Sequence, residues 1–155
     1  MEFKEDDGTV FMGEYAHMID VKGRVILPAD FRRELGDTFI LTRGLEPCLY
    51  LYGQDMWEQV TQKLSALPVL RTEARAVARF LFSGARRIEC DKQGRVLIPA
   101  GLRSHAGIVP RQDVVLVGAG NHIEVWNGSQ WLTYKNETTP QLAALASAVA
   151  DCVNI

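Results

Sequence analysis

Residues 20–29 read Asp20-Val21-Lys22-Gly23-Arg24-Val25-Ile26-Leu27-Pro28-Ala29, and residues 91–100 repeat them as Asp91-Lys92-Gln93-Gly94-Arg95-Val96-Leu97-Ile98-Pro99-Ala100. The register extends further, because Phe11 and Arg32 are matched 71 positions later by Phe82 and Arg103. A duplicated unit of about seventy residues predicts two copies of one supersecondary structure. Whatever the first turn presents to a ligand is therefore presented a second time by the second turn.

The bulk composition is that of an ordinary globular protein. The chain has 155 residues, of which 47% are hydrophobic and 23% are charged. A unit of about seventy residues buries little surface alone, so we expect the two units to share one core. No apolar run approaches the roughly 18 residues that a membrane span needs, and the N-terminus lacks the apolar region of a signal peptide. We therefore expect no membrane partner.

The cysteines and histidines are too scattered to indicate a metal site. The three cysteines are Cys48, Cys90 and Cys152, and the three histidines are His17, His105 and His122. An odd number of widely spaced cysteines favours a reducing cytoplasm over a disulfide framework. The histidines lie in separate predicted elements, and we expect no carboxylate to pair with them. The sequence therefore predicts no metal, no cofactor and no catalytic residue.

The predicted organisation follows the repeat. Residues 1–10 are acidic and are predicted to form a disordered extension, although a natural translation start at Val10 stays open. We expect a first repeat over 11–67, a linking helix over 68–83 with Thr72 as its N-cap, a second repeat over 84–139 and a flexible C-terminal tail over 140–155. Each repeat is predicted to run strand, turn, strand, short helix, strand, strand. Val25–Leu27 is predicted to be a short buried strand, and a final helical region is expected from Trp131.

The repeated segment is a strong turn signal. Asp20 and Asp91 are predicted to accept backbone N–H groups two residues on, and Gly23 and Gly94 permit a tight reversal. An Asp that pairs with the Arg four residues later would also hold such a hairpin for purely structural reasons. The motif alone therefore leaves both a structural role and a binding role open.

The turns also carry the candidate binding residues. Lys22 and Arg24 are expected on one side of an extended segment. In the second copy Arg95 matches Arg24, whereas the lysine stands one place earlier, at Lys92. A guanidinium beside a glycine bend can reach a phosphate, or take O6 and N7 of guanine together. The net charge of −2 means that any DNA affinity must come from focused local charge and many copies.

The paired segments, with Gly13-Glu14-Tyr15 ahead of the first and residues 102–107 (Leu-Arg-Ser-His-Ala-Gly) after the second, resemble the MraZ family from Phe11 to about Trp131. Each half also resembles the wider AbrB-like swapped-hairpin proteins. The resemblance implies an α+β fold in which two tandem swapped-hairpin repeats form one pseudo-two-fold β-barrel with flanking helices. The acidic extension and the weakly patterned tail depart from the family pattern.

The resemblance also implies a function. It implies a sequence-specific, DNA-binding transcriptional regulator, cytoplasmic and nucleoid-associated, that acts on the division and cell-wall gene cluster and on its own promoter. The ligand would be double-stranded DNA with short G-rich direct repeats, bound by a homo-oligomeric ring. Carried onto this chain, the DNA-binding positions are Lys22, Arg24, Lys92 and Arg95.

Two other function classes stay open at this point. One is a ring-forming assembly protein whose arginine turns bind a protein partner. The other is a small barrel enzyme that uses Asp20 or Asp91, against which no base, nucleophile or metal ligand stands at matching spacing. A basic row at Arg71, Arg75 and Arg79 is compatible with a solvated helix face, a subunit contact or a second phosphate contact.

Overall fold

The computed structural model describes residues 10–152, so most of the predicted acidic extension lies outside the described residues. The strands are β1 (Glu14–Met18), β2 (Arg24–Ile26), β3 (Thr38–Arg43), β4 (Leu49–Gly53), β5 (Arg86–Glu89), β6 (Arg95–Leu97), β7 (Asp113–Gly118) and β8 (Ile123–Asn127). The helices are α1 (Ala29–Leu35), α2 (Gln54–Ser65), α3 (Thr72–Gly84), α4 (Ala100–Ala106), α5 (Gly128–Thr138) and α6 (Leu142–Ala148). None of these helices is both long enough and apolar enough to cross a bilayer.

The strands form two antiparallel sheets that join the repeats. The larger sheet has the order β1-β7-β8-β4-β3-β5, and β2 pairs with β6 in a separate two-stranded sheet. The first strand of each repeat thus pairs with the third strand of the other, β1 with β7 and β5 with β3. The fold is accordingly a mixture of helices and antiparallel sheet built from two similar halves. Barrel closure and hairpin swapping stay predictions.

Both repeats contribute to one hydrophobic core. Leu41 and Leu51 of the first repeat and Leu116 and Ile123 of the second have at most 1% of their surface exposed, and all four belong to one cluster of buried side chains. Burying an aliphatic side chain of this size contributes roughly 1.5–3 kcal/mol. A single repeat would lose the buried side chains that the other repeat contributes to this cluster, which explains why the two units fold together.

The strand after the first turn differs from its prediction in burial. Val25 and Leu27 are buried, but Ile26 is 45% exposed. Successive side chains of a strand point to opposite faces, and the β2–β6 pair covers the core with one face only. The prediction of a wholly buried strand was therefore wrong, and the outward position of Ile26 matters for the surface described below.

Two helix starts also differ from their predictions. Thr72 is the first residue of α3 rather than its N-cap, which is Arg71. Helix α5 begins at Gly128, ahead of Trp131, because the side chain of Asn127 accepts a 3.1 Å hydrogen bond from the Gln130 N–H. A short helix, α6, lies within residues 140–155. The mobility of that segment and the repeat boundaries stay predictions.

Candidate nucleic-acid interface

The first turn is closed by the carboxylate of Asp20. Its Oδ1 accepts hydrogen bonds from the N–H groups of Lys22 (2.9 Å) and Arg24 (2.8 Å), and its Oδ2 accepts one from Arg24 Nε (2.8 Å). Gly23 has a φ of 87°, a conformation that side chains disfavour, and its N–H bonds to the Asp20 carbonyl. The turn chemistry predicted for Asp20 and Gly23 is therefore present in the structure.

The second turn repeats this geometry. Asp91 Oδ1 accepts from the N–H groups of Gln93 and Arg95, both at 2.9 Å, and Oδ2 accepts from Arg95 Nε at 2.8 Å. Gly94 has a φ of 79° and bonds through its N–H to the Asp91 carbonyl. The two turns are thus equal in backbone and carboxylate contacts, and differ chiefly in which position carries the lysine.

Both turn carboxylates are held in the ionised form. The pKa of Asp20 is lowered from its ordinary value of 3.8, chiefly because the Arg24 N–H bonds to the carboxylate, and the Arg24 side chain adds to the effect. Arg95 lowers the pKa of Asp91 in the same way. Neither carboxylate is therefore poised as a general acid or base near neutral pH. This geometry disfavours the enzyme alternative.

The turn arginines lie on one exposed face of the β2–β6 ribbon. Arg24 is opposite Leu97, and Arg95 is opposite Ile26. The central pair, Val25 and Val96, is at most 2% exposed and faces the core, so the two outer pairs face solvent. The two arginines are diagonal neighbours, which are about 7–8 Å apart in an antiparallel pair, with their Cβ atoms somewhat closer.

Each guanidinium group on this face is held by its turn carboxylate through Nε alone. Each ion pair with the turn carboxylate involves Nε at 2.8 Å, and the Arg24 and Arg95 side chains each keep 28% of their surface exposed. Within residues 10–152, the terminal nitrogens of both arginines have no hydrogen-bond partner. Those nitrogens are the donors that recognise phosphates and guanine edges. The structural and binding roles of the motif are therefore compatible.

The predicted lysines lie at the two ends of the ribbon. Lys22 and Lys92 are both exposed turn residues. Because Lys22 precedes β2 within the turn itself, the expected strand alternation with Arg24 does not apply to it. The structure thus places the two arginines on the ribbon face and one exposed lysine in the turn at each end of the ribbon. Their role as DNA ligands stays a prediction.

Sequence reasoning missed the apolar part of this surface. Ile26 and Leu97 are 45% and 54% exposed between the two arginines. The signal was available, because each copy places an aliphatic residue two positions after its turn arginine, on the same face of the strand. What the sequence does not contain is the pairing of β2 with β6, which joins two distant turns in one surface.

Two arginines of the basic row at the start of α3, Arg71 and Arg75, make contacts with neighbouring residues. Arg71 Nε donates to Glu73 at 3.3 Å, and Arg75 Nη1 donates to the Val69 carbonyl at 2.8 Å. All the contacts are exposed, as on a solvated helix face. Neither contact involves a residue of the β2–β6 ribbon.

One histidine contradicts its prediction. His122 Nε2 lies 3.1 Å from Glu124 Oε2, so a carboxylate does pair with it. Burial alone would raise the pKa of Glu124, but the hydrogen bonds from His122 and Trp126 outweigh it and lower that pKa. The two residues stand two apart on and beside β8, a same-face spacing that sequence reasoning overlooked.

One group of potential metal ligands occurs in the described part of the chain, and none of its members belongs to either turn. Ligand atoms of Glu46, Cys48 and Glu124 lie within 4.8 Å of one another. The Glu46 carboxylate already accepts a 2.9 Å hydrogen bond from the Tyr50 hydroxyl. Burial raises the pKa of the Cys48 thiol, which keeps it protonated and a poor metal ligand.

Comparison with known proteins agrees with the repeat. The family model described as "MraZ protein, putative antitoxin-like" matches the chain twice in tandem, over residues 10–80 and 81–151. The two matches are offset by 71 positions, which is also the offset between the two turns. The repeat unit seen in the sequence is therefore the unit of the family.

Near-full-length relatives carry the same family name. A protein of Heliobacterium modesticaldum named "Transcriptional regulator MraZ" is 46% identical over 92% of this chain and 98% of its own length. Proteins with that name from Moorella thermoacetica and Desulfitobacterium hafniense are each 48% identical, over 92% and 94% of this chain. These names denote regulators and not enzymes. The two tandem matches and this level of identity show that the chain belongs to the MraZ family.

Proposed function

We propose that the protein is a DNA-binding transcriptional regulator that contacts double-stranded DNA through the exposed face of the β2–β6 ribbon. The observation that carries this proposal is the position of Arg24 and Arg95 on one outward face, each with its terminal nitrogens available. A two-stranded ribbon is one of the elements that enters the major groove. The name shared by the relatives supports the regulatory role.

The four cations divide into two roles in this proposal. The guanidinium forks of Arg24 and Arg95 read base edges, because Nε is fixed by the turn carboxylate and the fork is thereby pre-oriented. Lys22 and Lys92 contact phosphates at the ribbon ends and supply affinity without sequence information. Ile26, on the same face, is suited to contact a thymine methyl group.

The family resemblance supplies the proposed cellular location, target genes, assembly and DNA ligand. The protein would act in the cytoplasm, associated with the nucleoid, on its own promoter and on the division and cell-wall gene cluster. Swapped-hairpin repeats closed into a barrel would assemble as a homo-oligomeric ring. A ring repeats one surface by rotation, so short G-rich direct repeats are the matching ligand. Linked contacts would raise the effective concentration for each further contact.

The proposal is tested by equilibrium binding of the purified protein to its own upstream DNA and to a scrambled fragment of equal composition. The salt dependence should have a slope of about −2 per protomer for two phosphate contacts, and the upstream fragment should be preferred. The alternative is an assembly protein whose arginine turns bind a protein. That alternative predicts no preference between the fragments.

A further inference from the structure

Arg103 lies against the first turn although it belongs to the second repeat. A side-chain carbon added at Gly23 would overlap Nη1 of Arg103, so the guanidinium fills the space that this glycine leaves empty. Nη1 also donates a 2.7 Å hydrogen bond to the Ile98 carbonyl. The Ile98 N–H in turn donates to the Gly23 carbonyl at 2.9 Å. Arg103, Ile98 and the first turn thus form one connected unit.

Arg32 of the first repeat makes the equivalent contact with the second turn. A side-chain carbon at Gly94 would lie 3.0–3.1 Å from Cζ, Nε and Nη1 of Arg32, which is tighter than ordinary packing. Arg32 Nε donates to the Leu27 carbonyl at 3.0 Å, and the Leu27 N–H donates to the Gly94 carbonyl at 2.9 Å. Each turn is therefore supported by an arginine of the opposite repeat.

The helix dipole does not explain these contacts. Arg32 and Arg103 do lie in the last turns of α1 and α4, where a positive charge is favourable. However, Arg33 occupies the same helix turn as Arg32 and instead pairs with Asp30 at 2.6 Å, with 67% of its side chain exposed. A dipole contact alone thus leaves the side chain free to remain in solvent.

We propose that Arg32 and Arg103 are positioning residues that hold the turn of the opposite repeat in its DNA-contacting geometry. The bracing itself is a property of the fold, and only its effect on DNA rests on the proposed function. A guanidinium is planar and offers several donors, so it can lie against a glycine and still bond a strand carbonyl. The geometry of each turn then depends on an arginine of the other repeat.

Hydrogen–deuterium exchange of the full-length protein tests the crosswise dependence. Arg103→Ala should accelerate exchange about fivefold at residues 20–24, the loss expected for one hydrogen bond, and leave residues 91–95 near wild type. Arg32→Ala should do the reverse, and Arg33→Ala should change neither turn. Acceleration confined to the mutated residue's own repeat, shared equally by both turns, or absent would overturn the proposal.

A conservative variant separates bracing from simple positive charge and covers the case in which the alanine variant does not fold. Arg103→Lys keeps the charge but lacks the planar fork, so exchange at residues 20–24 should stay raised. Its preference for the upstream DNA over the scrambled fragment should fall about fivefold or more. Recovery of both quantities to wild-type values by Arg103→Lys would contradict a bracing role.

DNA preference and hydrogen–deuterium exchange test the proposed function and the bracing role separately. If wild-type protein shows no DNA preference while Arg103→Ala loosens residues 20–24 selectively, the proposed function is wrong and the brace stands. If wild-type protein prefers its upstream DNA and both Arg103 variants bind and exchange as wild type does, the brace is wrong and the function stands.

Discussion

Arg24 of the first repeat lies opposite Leu97 of the second in the β2–β6 ribbon. The equivalent relationship places Arg95 opposite Ile26, so the two turn motifs share one surface although 71 positions separate them in the chain. Two copies of a motif suggest two separate reading elements. The pairing makes them two halves of one surface, and a change in either half is expected to affect the whole surface.

Removing a turn lysine should weaken DNA binding without changing its selectivity. Lys22→Ala and Lys92→Ala should each lower affinity for the upstream and scrambled fragments alike and reduce the salt slope by about 1, because each removes one phosphate contact. Binding titrations at several salt concentrations measure both quantities. Lys63→Ala, in the last turn of α2, is the matched control. A selective loss of upstream binding would mean that the lysines read bases.

Acid should weaken both turns over a defined pH range. Because the folded-state pKa of Asp20 is lowered, its contribution is complete above the ordinary value of 3.8 and is lost as pH falls through the folded pKa. Wild type should therefore be more stable than Asp20→Asn above pH 3.8, and the difference should disappear in stronger acid. Urea midpoints measured across pH test this, with the exposed Asp37→Asn as control. A stability difference that grows in acid would contradict the assignment.

The alternation along β2 predicts that alanine substitution of two neighbouring residues changes protein stability by very different amounts. Val25→Ala should destabilise the protein by about 1–3 kcal/mol, because it removes two carbons from a residue that is 1% exposed. Ile26→Ala should change stability by no more than about 0.5 kcal/mol, since the side chain faces solvent. Chemical unfolding followed by tryptophan fluorescence measures both. Equal losses would show that Ile26 is buried.

Gly23 should tolerate alanine less well than another glycine of similar φ. Gly23 (φ 87°) and Gly120 (φ 89°) would both acquire strained backbones, at a cost of about 1–2 kcal/mol. Only at Gly23 does the new carbon displace a guanidinium, whereas nothing lies within 4 Å of it at Gly120. Thermal unfolding should therefore show the larger loss for Gly23→Ala. Equal losses would mean that Arg103 shifts without cost.

Local chemistry made much of the fold predictable. The short helix predicted in the first repeat is present as α1, because Pro28 fixes its entry and Gly36, with a φ of 84°, ends it. The turns were likewise predictable from Asp20 and Gly23, since an Asp carboxylate bonds the following N–H groups. Signals of this kind lie within a few residues of one another and need no tertiary information.

Tertiary pairing accounts for what the sequence did not reveal. The exposed position of Ile26 follows from the partner strand of β2, and the contact of Arg103 with Gly23 spans 80 positions. Both arginines that contact the turns were visible as matched residues of the repeat, but a repeat match does not say what a side chain touches. The pairing of His122 with Glu124, by contrast, needs no tertiary information, because residues two apart on a strand share one face.

DNA binding by the ribbon is tested most directly by comparing Arg24→Ala, Arg95→Ala and the double variant for binding to the upstream and scrambled fragments. Each single variant should keep its fold and oligomeric state, because the side chains are on an exposed face, and should lose preference for the upstream DNA. The double variant should bind both fragments equally and weakly. Upstream preference that survives in the double variant would contradict the proposal that the β2–β6 ribbon reads DNA.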